Sequence, residues 1–246
     1  RQPGHAIRGL LGFRDDQPIK QGRPSGAATI AQMADGAARL VLSEENYLGQ
    51  LNDPLGGFVA KRYLEAGKRL ALLAQAVGQE VDVFIALRQP TTYLNGAYGR
   101  MLLSGQRATF DRFCRNNPAP GIDWSDVVGQ IRNAQGIGQV TVWRYEDYHD
   151  VFAQVVAGLV GAQNAGLVPR AKRRINPGLS AQTVDALLSE TGDERHAYAL
   201  RDQFCVSGGH TPFDGFSAHA HTASAAAYDT QVAAISDMAG VTLLRP

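Results

Sequence analysis

The most constraining feature of this sequence is the run 81–87, VDVFIAL, which is rich in β-branched residues and almost continuously apolar. Such a run predicts a strand that is covered on both faces, as in a parallel sheet. Ahead of it, apolar residues recur every three or four positions over about 58–77. Gly78 follows where the glycine that ends a helix is expected. The pattern therefore predicts a helix that leads directly into a buried strand.

The rest of the chain repeats this alternation of strand and helix. Further strands are predicted at 39–42, 139–143 and 241–244, and helices at about 91–104, 149–160, 180–190 (with Ser180 as N-cap) and 218–239. Looser segments at 12–26, 115–122 and 205–217 predict loops. Strands separated by helices imply parallel pairing through right-handed crossovers. We therefore expect one α/β domain over residues 1–246, with a parallel sheet flanked by helices.

Composition excludes several classes of protein. The chain is 44% hydrophobic and 19% charged, which argues against disorder and against a coiled coil. A net charge of +1 provides no broad basic field for nucleic acid. No run of about 18 apolar residues predicts a membrane span. Cys114 and Cys205 lie far apart and lack metal-ligand spacing, which is typical of a reducing compartment and predicts a cytoplasmic protein.

Polar residues follow three of the predicted strands at the point where each strand ends. Segment 43–47 follows the first strand, Arg88 follows 81–87, and 144–147 follows 139–143. In an open parallel sheet, ligands bind beyond the carboxyl ends of the strands. A guanidinium in the position of Arg88, just before a helix, can bind a phosphate together with the helix N-terminus. The alternative is a salt bridge from Arg88 to Glu44 or Glu45.

Four segments resemble sulfotransferases that use 3′-phosphoadenosine 5′-phosphosulfate (PAPS). Segment 88–98 is similar to the family's 3′-phosphate-binding segment, in which an arginine closes a strand and a serine eight residues later binds the same phosphate. Segments 42–49 and 143–147 resemble the strand ends of bacterial members, the latter through its Arg-Tyr-Glu-Asp sequence. Segment 173–180 resembles the basic loop that closes over the nucleotide. The likeness runs from about residue 38 to the end.

The resemblance implies a P-loop-NTPase-like sulfotransferase fold and transfer of a sulfuryl group from PAPS, as co-substrate and without a metal, to a hydroxyl acceptor such as a carbohydrate. The base that takes the acceptor's proton would be Glu44 or Glu45, because neighbours at a strand end point opposite ways. The other roles that it implies are nucleotide binding by Arg88, Asn95, Arg173 and Arg174, and acceptor binding by Ser43, Asn46 and Tyr47.

The sequence departs from the family in two places. Gly96 stands where the family has its phosphate-binding serine, with Asn95 as the polar neighbour. No segment fits the family's Lys- and Thr/Ser-containing phosphosulfate loop, because Gly67-Lys68 lies within a predicted amphipathic helix. We expect the chain to begin just downstream of that loop. The alternatives are a non-catalytic relative that binds a nucleotide or glycan or serves as a scaffold, and another nucleotide-dependent α/β transferase.

Three histidines, His210, His219 and His221, lie near the end of the chain and are candidate metal ligands by residue type. His219 and His221 are two positions apart, which does not place two side chains on one helix face, and no acidic residue stands directly beside them. We therefore interpret 210–221 as a polar segment that leads into the last helix. The sequence contains no G-x-S-x-G, H-E-x-x-H or complete G-x-G-x-x-G motif.

Overall fold

The computed structural model describes residues 26–44, 47–49, 57–171 and 177–246. Within these ranges the chain alternates helices with the strands of one sheet. The elements are α1 Gly26–Ala34, α2 Ala66–Val77, β1 Val81–Leu87, α3 Pro90–Leu103, α4 Phe110–Asn116, α5 Trp124–Arg132, β2 Ile137–Arg144, α6 Tyr148–Val160, α7 Ala181–Ser189, α8 Glu194–Gln203, α9 Ala218–Ser236 and β3 Val241–Leu243.

The described strands form an open parallel sheet in the order β1-β2-β3. Leu87 pairs with Arg144, so β1 and β2 end side by side. The predicted strand at 81–87 is confirmed, and those at 139–143 and 241–244 are confirmed with small changes in their bounds. The α/β class and the parallel sheet flanked by helices are therefore correct.

The strand predicted at 39–42 is wrong. This segment forms no ladder with the sheet, and the side chain of Val41 is 43% exposed. Arg39 instead donates from Nη1 to the carbonyls of Gly158 and Leu159, in the last turn of α6. The last carbonyls of a helix lack partners within the helix and attract cations. Only Leu42 of the segment packs against the core, so burial does not fix a strand register here.

The helix predicted over 58–77 begins only at Ala66. Tyr63 has a left-handed backbone with φ of 54°, which breaks the helical path. The Val59 amide donates to the carbonyl of Asn116 and the Arg62 amide to that of Gly121, so 59–62 is tied to the 116–121 loop. The predicted end is correct, because Gly78 is left-handed at φ 76° and its amide donates to the carbonyl of Ala74.

Alternate residues of the strands face two separate cores, as the pleat of a sheet requires. Leu87 and Val142 belong to a large cluster with side chains from α2, α3, α5 and α9. Trp143 and Phe84 belong to a smaller cluster with Val151 and neighbouring residues of α6. The sheet is therefore covered by helices on both faces.

The helices predicted near 91–104, 149–160, 180–190 and 218–239 are all confirmed, and Ser180 accepts from the Thr183 amide as the predicted N-cap. Helix α1 was not predicted. Nor were α4, α5 and α8, although Thr109, Asp123 and Asp193 cap them with side-chain oxygens. They are short, and their boundaries depend on these caps more than on a long apolar period. Within the described ranges, no helix has the length and apolar character needed to cross a membrane.

Candidate functional site

Arg88 lies at the carboxyl end of β1, and its guanidinium is held from two sides. Nε donates to the Thr92 hydroxyl at 3.1 Å, and the guanidinium carbon lies 4.9 Å from the centre of the Tyr145 ring. Among the residues that the structure describes, no carboxylate forms an ion pair with Arg88, so the salt bridge to Glu44 is absent. The cation is therefore held in position and is not neutralised by a described carboxylate, while the other partner considered, Glu45, lies outside the described residues.

The strand end and the start of α3 are fixed by side chains from neighbouring elements. The Trp124 indole N–H donates to the carbonyl of Arg88 at 2.8 Å. Glu146, in the Arg-Tyr-Glu-Asp segment, accepts from the Gln89 amide at 3.0 Å and from the Tyr228 hydroxyl at 3.3 Å. Segments after β1 and β2 therefore meet at one edge of the sheet, as their parallel pairing predicts.

Gly96 lies beside the Arg88 side chain. A Cβ at this position would lie 3.3 Å from Nη1 of Arg88. Position 96, which the resemblance aligns with a serine of PAPS-dependent sulfotransferases, therefore lies next to the guanidinium. The Asn95 side chain is engaged elsewhere, because its Nδ2 donates to Asp214 at 2.8 Å and its Oδ1 accepts from the Gly215 amide at 3.2 Å.

The predicted acceptor segment is only partly described. Ser43 is exposed, and Glu44 and Tyr47 are half-buried. Burial, followed by the nearby charge of Glu44, raises the pKa of Tyr47 well above its usual range. No hydrogen bond or ion pair of the described residues joins this segment to Arg88. Four further predicted site residues lie outside the described residues: Glu45, Asn46, Arg173 and Arg174.

An aromatic cluster that the sequence analysis missed lies next to the Arg88 strand end. The hydroxyls of Tyr63 and Tyr93 are 2.9 Å apart, and the Trp124 ring stacks near Tyr63 and meets Tyr93 edge-on at 5.4 Å. Burial, followed by neighbouring Tyr63, raises the pKa of Tyr93 well above its usual range. The three rings come from three separate segments, so no local pattern could have revealed them.

A buried arginine, Arg62, packs against this aromatic cluster. Arg62 is 4% exposed and donates from Nη2 to the Asn117 side chain at 2.6 Å. Burial lowers the pKa of Arg62, while the phenols of Tyr93 and Tyr63 act in the opposite direction. Its guanidinium carbon lies 5.9 Å from the centre of the Tyr93 ring. Tyr63, whose backbone is left-handed, thus follows a buried cation in the chain and contacts two aromatic rings through its side chain.

His221 has an acidic partner that is not adjacent in the sequence. Its Nε2 lies 2.8 Å from Oδ2 of Asp214, and its Nδ1 lies 2.8 Å from the Thr91 hydroxyl oxygen. Burial acts to raise the pKa of Asp214, but hydrogen bonds from Asn95, the Phe216 amide and His221 outweigh it and hold the pKa below its usual value. His221 lies in the first turn of α9, within the helix predicted at 218–239, and not in a polar segment that precedes that helix.

A separate recess of about 260 Å³ lies beside the ends of β2 and β3. Two arginines line it: Arg144, which is paired with Asp229 at 2.8 Å and lies 5.1 Å from the Tyr228 ring centre, and Arg245, which donates to the Ser236 hydroxyl at 3.1 Å. Arg88, unlike Arg144, forms no ion pair with a described carboxylate and directly precedes the N-terminus of α3, so the end of β1 is the candidate site for an anion. Over the described part of the chain, no group of three His, Cys, Asp or Glu side chains is arranged to hold a metal ion.

The chain was also compared with known proteins. No family model, curated protein or solved structure matches it.

Proposed function

We propose that Arg88 binds the 3′-phosphate of a nucleotide and that the chain is a sulfotransferase-like protein with the P-loop-NTPase-like fold of that superfamily. The observation that supports the proposal best is that the Arg88 guanidinium is held in place but keeps hydrogen-bond donors available. Both Nη groups lack hydrogen-bond partners among the described residues, while Nε and the Tyr145 ring hold the group in place. A fixed cation with free donors at a helix N-terminus is suited to a phosphate.

In the proposed reaction, the nucleotide is PAPS and a sulfuryl group passes in line to an acceptor hydroxyl, such as that of a carbohydrate. The bond from sulfur to the bridging phosphate oxygen breaks as the bond to the acceptor oxygen forms. Glu44 or Glu45 takes the acceptor's proton, and cationic groups oppose the charge on the leaving phosphate. Ser43, Asn46 and Tyr47 would line the acceptor site, and Arg173 and Arg174 would close over the nucleotide.

Calorimetry on the 246-residue chain tests nucleotide recognition. Adenosine 3′,5′-bisphosphate is compared with adenosine 5′-monophosphate, which lacks only the 3′-phosphate. Because each charge-assisted hydrogen bond contributes about 1.5–3 kcal/mol, we expect the bisphosphate to bind at least tenfold more tightly, as roughly 1.4 kcal/mol corresponds to a factor of ten. Equal affinities for the two ligands would rule out the proposed role of Arg88.

A second candidate function is a non-catalytic module that binds a nucleotide or glycan. The observation that favours it is Gly96, which presents no hydroxyl to the phosphate beside Arg88. Transfer of labelled sulfate from PAPS to sugar and phenol acceptors, measured on a protein that includes any phosphosulfate loop upstream of Arg1, separates the two candidates. The non-catalytic candidate requires tight nucleotide binding without turnover, whereas turnover near ~1–10³ s⁻¹ would identify an active enzyme.

A further inference from the structure

The start of α3 is fastened to the start of α9 by a continuous set of hydrogen bonds. Asp214, in the loop before α9, accepts from Asn95 Nδ2 at 2.8 Å and from the Phe216 amide at 3.1 Å. The same carboxylate contacts Nε2 of His221 at 2.8 Å. One side chain thus joins α3, the 214–216 turn and α9.

His221 continues the connection to the first turn of α3. A carboxylate only accepts hydrogen bonds, so a proton on Nε2 is donated to Asp214. In the tautomer that carries its proton on Nε2 alone, Nδ1 accepts from the Thr91 hydroxyl across 2.8 Å. In this tautomer the donors follow the order Thr91, His221, Asp214. Each donation fixes the orientation of the next group.

Two further hydrogen bonds hold the same turn. The Gln89 side chain donates to the His221 carbonyl at 3.0 Å, and the Thr91 amide donates to the Ser224 hydroxyl at 3.3 Å. Thr91 is only 1% exposed, so its hydroxyl is too enclosed to meet a substrate. This excludes Thr91 as a nucleophile despite its histidine and aspartate neighbours.

We propose that Asp214 and His221 are positioning residues that hold the first turn of α3 in the geometry needed for a phosphate bound by Arg88. The inference rests on the proposed function, because it deepens the account of the same site. Arg88, Thr92 and Gly96 all lie on or beside this helix, and the Arg88 Nε donates to the Thr92 hydroxyl. Loosening the first turn therefore displaces the support of the guanidinium.

Matched substitutions on the full 246-residue chain test this positioning role. His221→Ala and Thr91→Val each break the Thr91–His221 hydrogen bond, and Thr91→Val keeps the side-chain shape. Thr91→Ser keeps the hydroxyl, and His219→Ala removes an exposed histidine of the same helix. Because about one hydrogen bond is lost, we expect the preference for adenosine 3′,5′-bisphosphate over adenosine 5′-monophosphate to fall roughly three- to tenfold in the first pair only.

Affinity for adenosine 5′-monophosphate serves as the control, because a general loss of structure would lower it too. We expect this affinity to stay at the wild-type value in His221→Ala and Thr91→Val. Amide hydrogen exchange provides a test without nucleotide. The Tyr93 amide, which donates to the Gln89 carbonyl at 2.9 Å, should exchange faster in His221→Ala than in His219→Ala.

The two experiments separate failure of this inference from failure of the proposed function. An unchanged 3′-phosphate preference together with unchanged exchange at Tyr93 in both His221→Ala and Thr91→Val would overturn the positioning role. If the wild-type chain shows no 3′-phosphate preference, the proposed function fails. Exchange at Tyr93 then decides whether the Asp214–His221 connection holds α3.

Discussion

Arg88 and Gly96 are eight positions apart in the sequence and adjoin in the structure, where Nη1 lies 3.3 Å from the place of a Cβ on Gly96. At 3.3 Å this approach is only slightly tighter than an ordinary contact, so a shift of the guanidinium by a few tenths of an ångström would admit a small side chain. A Ser side chain at this position would supply the hydroxyl that the family resemblance leads one to expect. Substitution of Gly96 therefore tests directly whether a phosphate binds beside Arg88.

We expect Gly96→Ser to tighten binding of adenosine 3′,5′-bisphosphate by about tenfold, because a hydroxyl would add one hydrogen bond to a charged phosphate. Gly96→Ala is the matched control, since it adds the same Cβ without the hydroxyl. Calorimetry on the three chains measures the difference. If the Ser and Ala variants bind equally, the phosphate does not lie against position 96.

A second prediction concerns Asp123, which caps α5. Burial acts to raise the pKa of Asp123, but hydrogen bonds from the Ser125 hydroxyl and from the Asp126 and Ser125 amides outweigh it, so the pKa is lowered. Its stabilisation is therefore present above the unfolded pKa of about 3.9 and is lost as pH falls through the folded value.

We expect Asp123→Ala to lower the free energy of unfolding by about 0.5–2 kcal/mol at pH 7, the usual cost of losing an N-cap. The deficit should shrink as pH falls below about 4. Denaturant unfolding at several pH values measures it. Asp123→Asn is the control, because an amide caps without titrating at this pH. If Asp123→Ala lowers the free energy of unfolding by the same amount at neutral and at acid pH, the loss does not come from the ionised Asp123 cap.

At the scale of elements, helices α2 and α5 approach closely at Gly67. A Cβ on Gly67 would lie 2.6 Å from the carbonyl oxygen of Gln130, a backbone atom that cannot swing away. The Gly67-Lys68 pair thus has a packing role, and Lys68 forms an ion pair with Glu65 at 2.9 Å. Gly67 and Lys68 both lie inside α2 and not in a loop, in agreement with the sequence analysis, which found no phosphate-loop pattern around them.

We expect Gly67→Ala to destabilise the fold by about 1–3 kcal/mol through overpacking, even though Ala favours a helix by roughly 1 kcal/mol over Gly. Gly129→Ala in α5 is the matched control, because its Cβ meets nothing within 4 Å. The control should gain about 0.4–1 kcal/mol. Denaturant unfolding compares the two variants, and equal gains in stability would contradict close packing at Gly67.

The sequence was informative about elements whose own pattern matches their environment. Val81–Leu87 is apolar on both faces because α6 packs on one side of the sheet and other helices on the other. The predictions failed where distant contacts decide the backbone. Tyr63 is left-handed between Arg62, Tyr93 and Trp124, and Arg39 is drawn to the end of α6. Neither contact leaves a local signal.

At the scale of the whole molecule, the sheet brings distant segments to one edge. The position of Arg88 beside Tyr145 follows from parallel pairing of β1 and β2, so this part of the site could be predicted from the order of elements. The Asp214–His221–Thr91 connection could not. Its groups come from a loop and two helices, and the acid precedes the histidine by seven positions across a turn.

The central claim is that the Arg88 guanidinium recognises the 3′-phosphate, and the Arg88→Gln variant tests it most directly. Calorimetry measures the ratio of affinities for adenosine 3′,5′-bisphosphate and adenosine 5′-monophosphate in wild type, in Arg88→Gln and in Arg100→Gln, which removes an exposed arginine of α3. We expect Arg88→Gln to abolish the at least tenfold preference, since roughly 1.5–3 kcal/mol is lost per charge-assisted bond, and Arg100→Gln to retain it. A preference that survives in Arg88→Gln would contradict the claim.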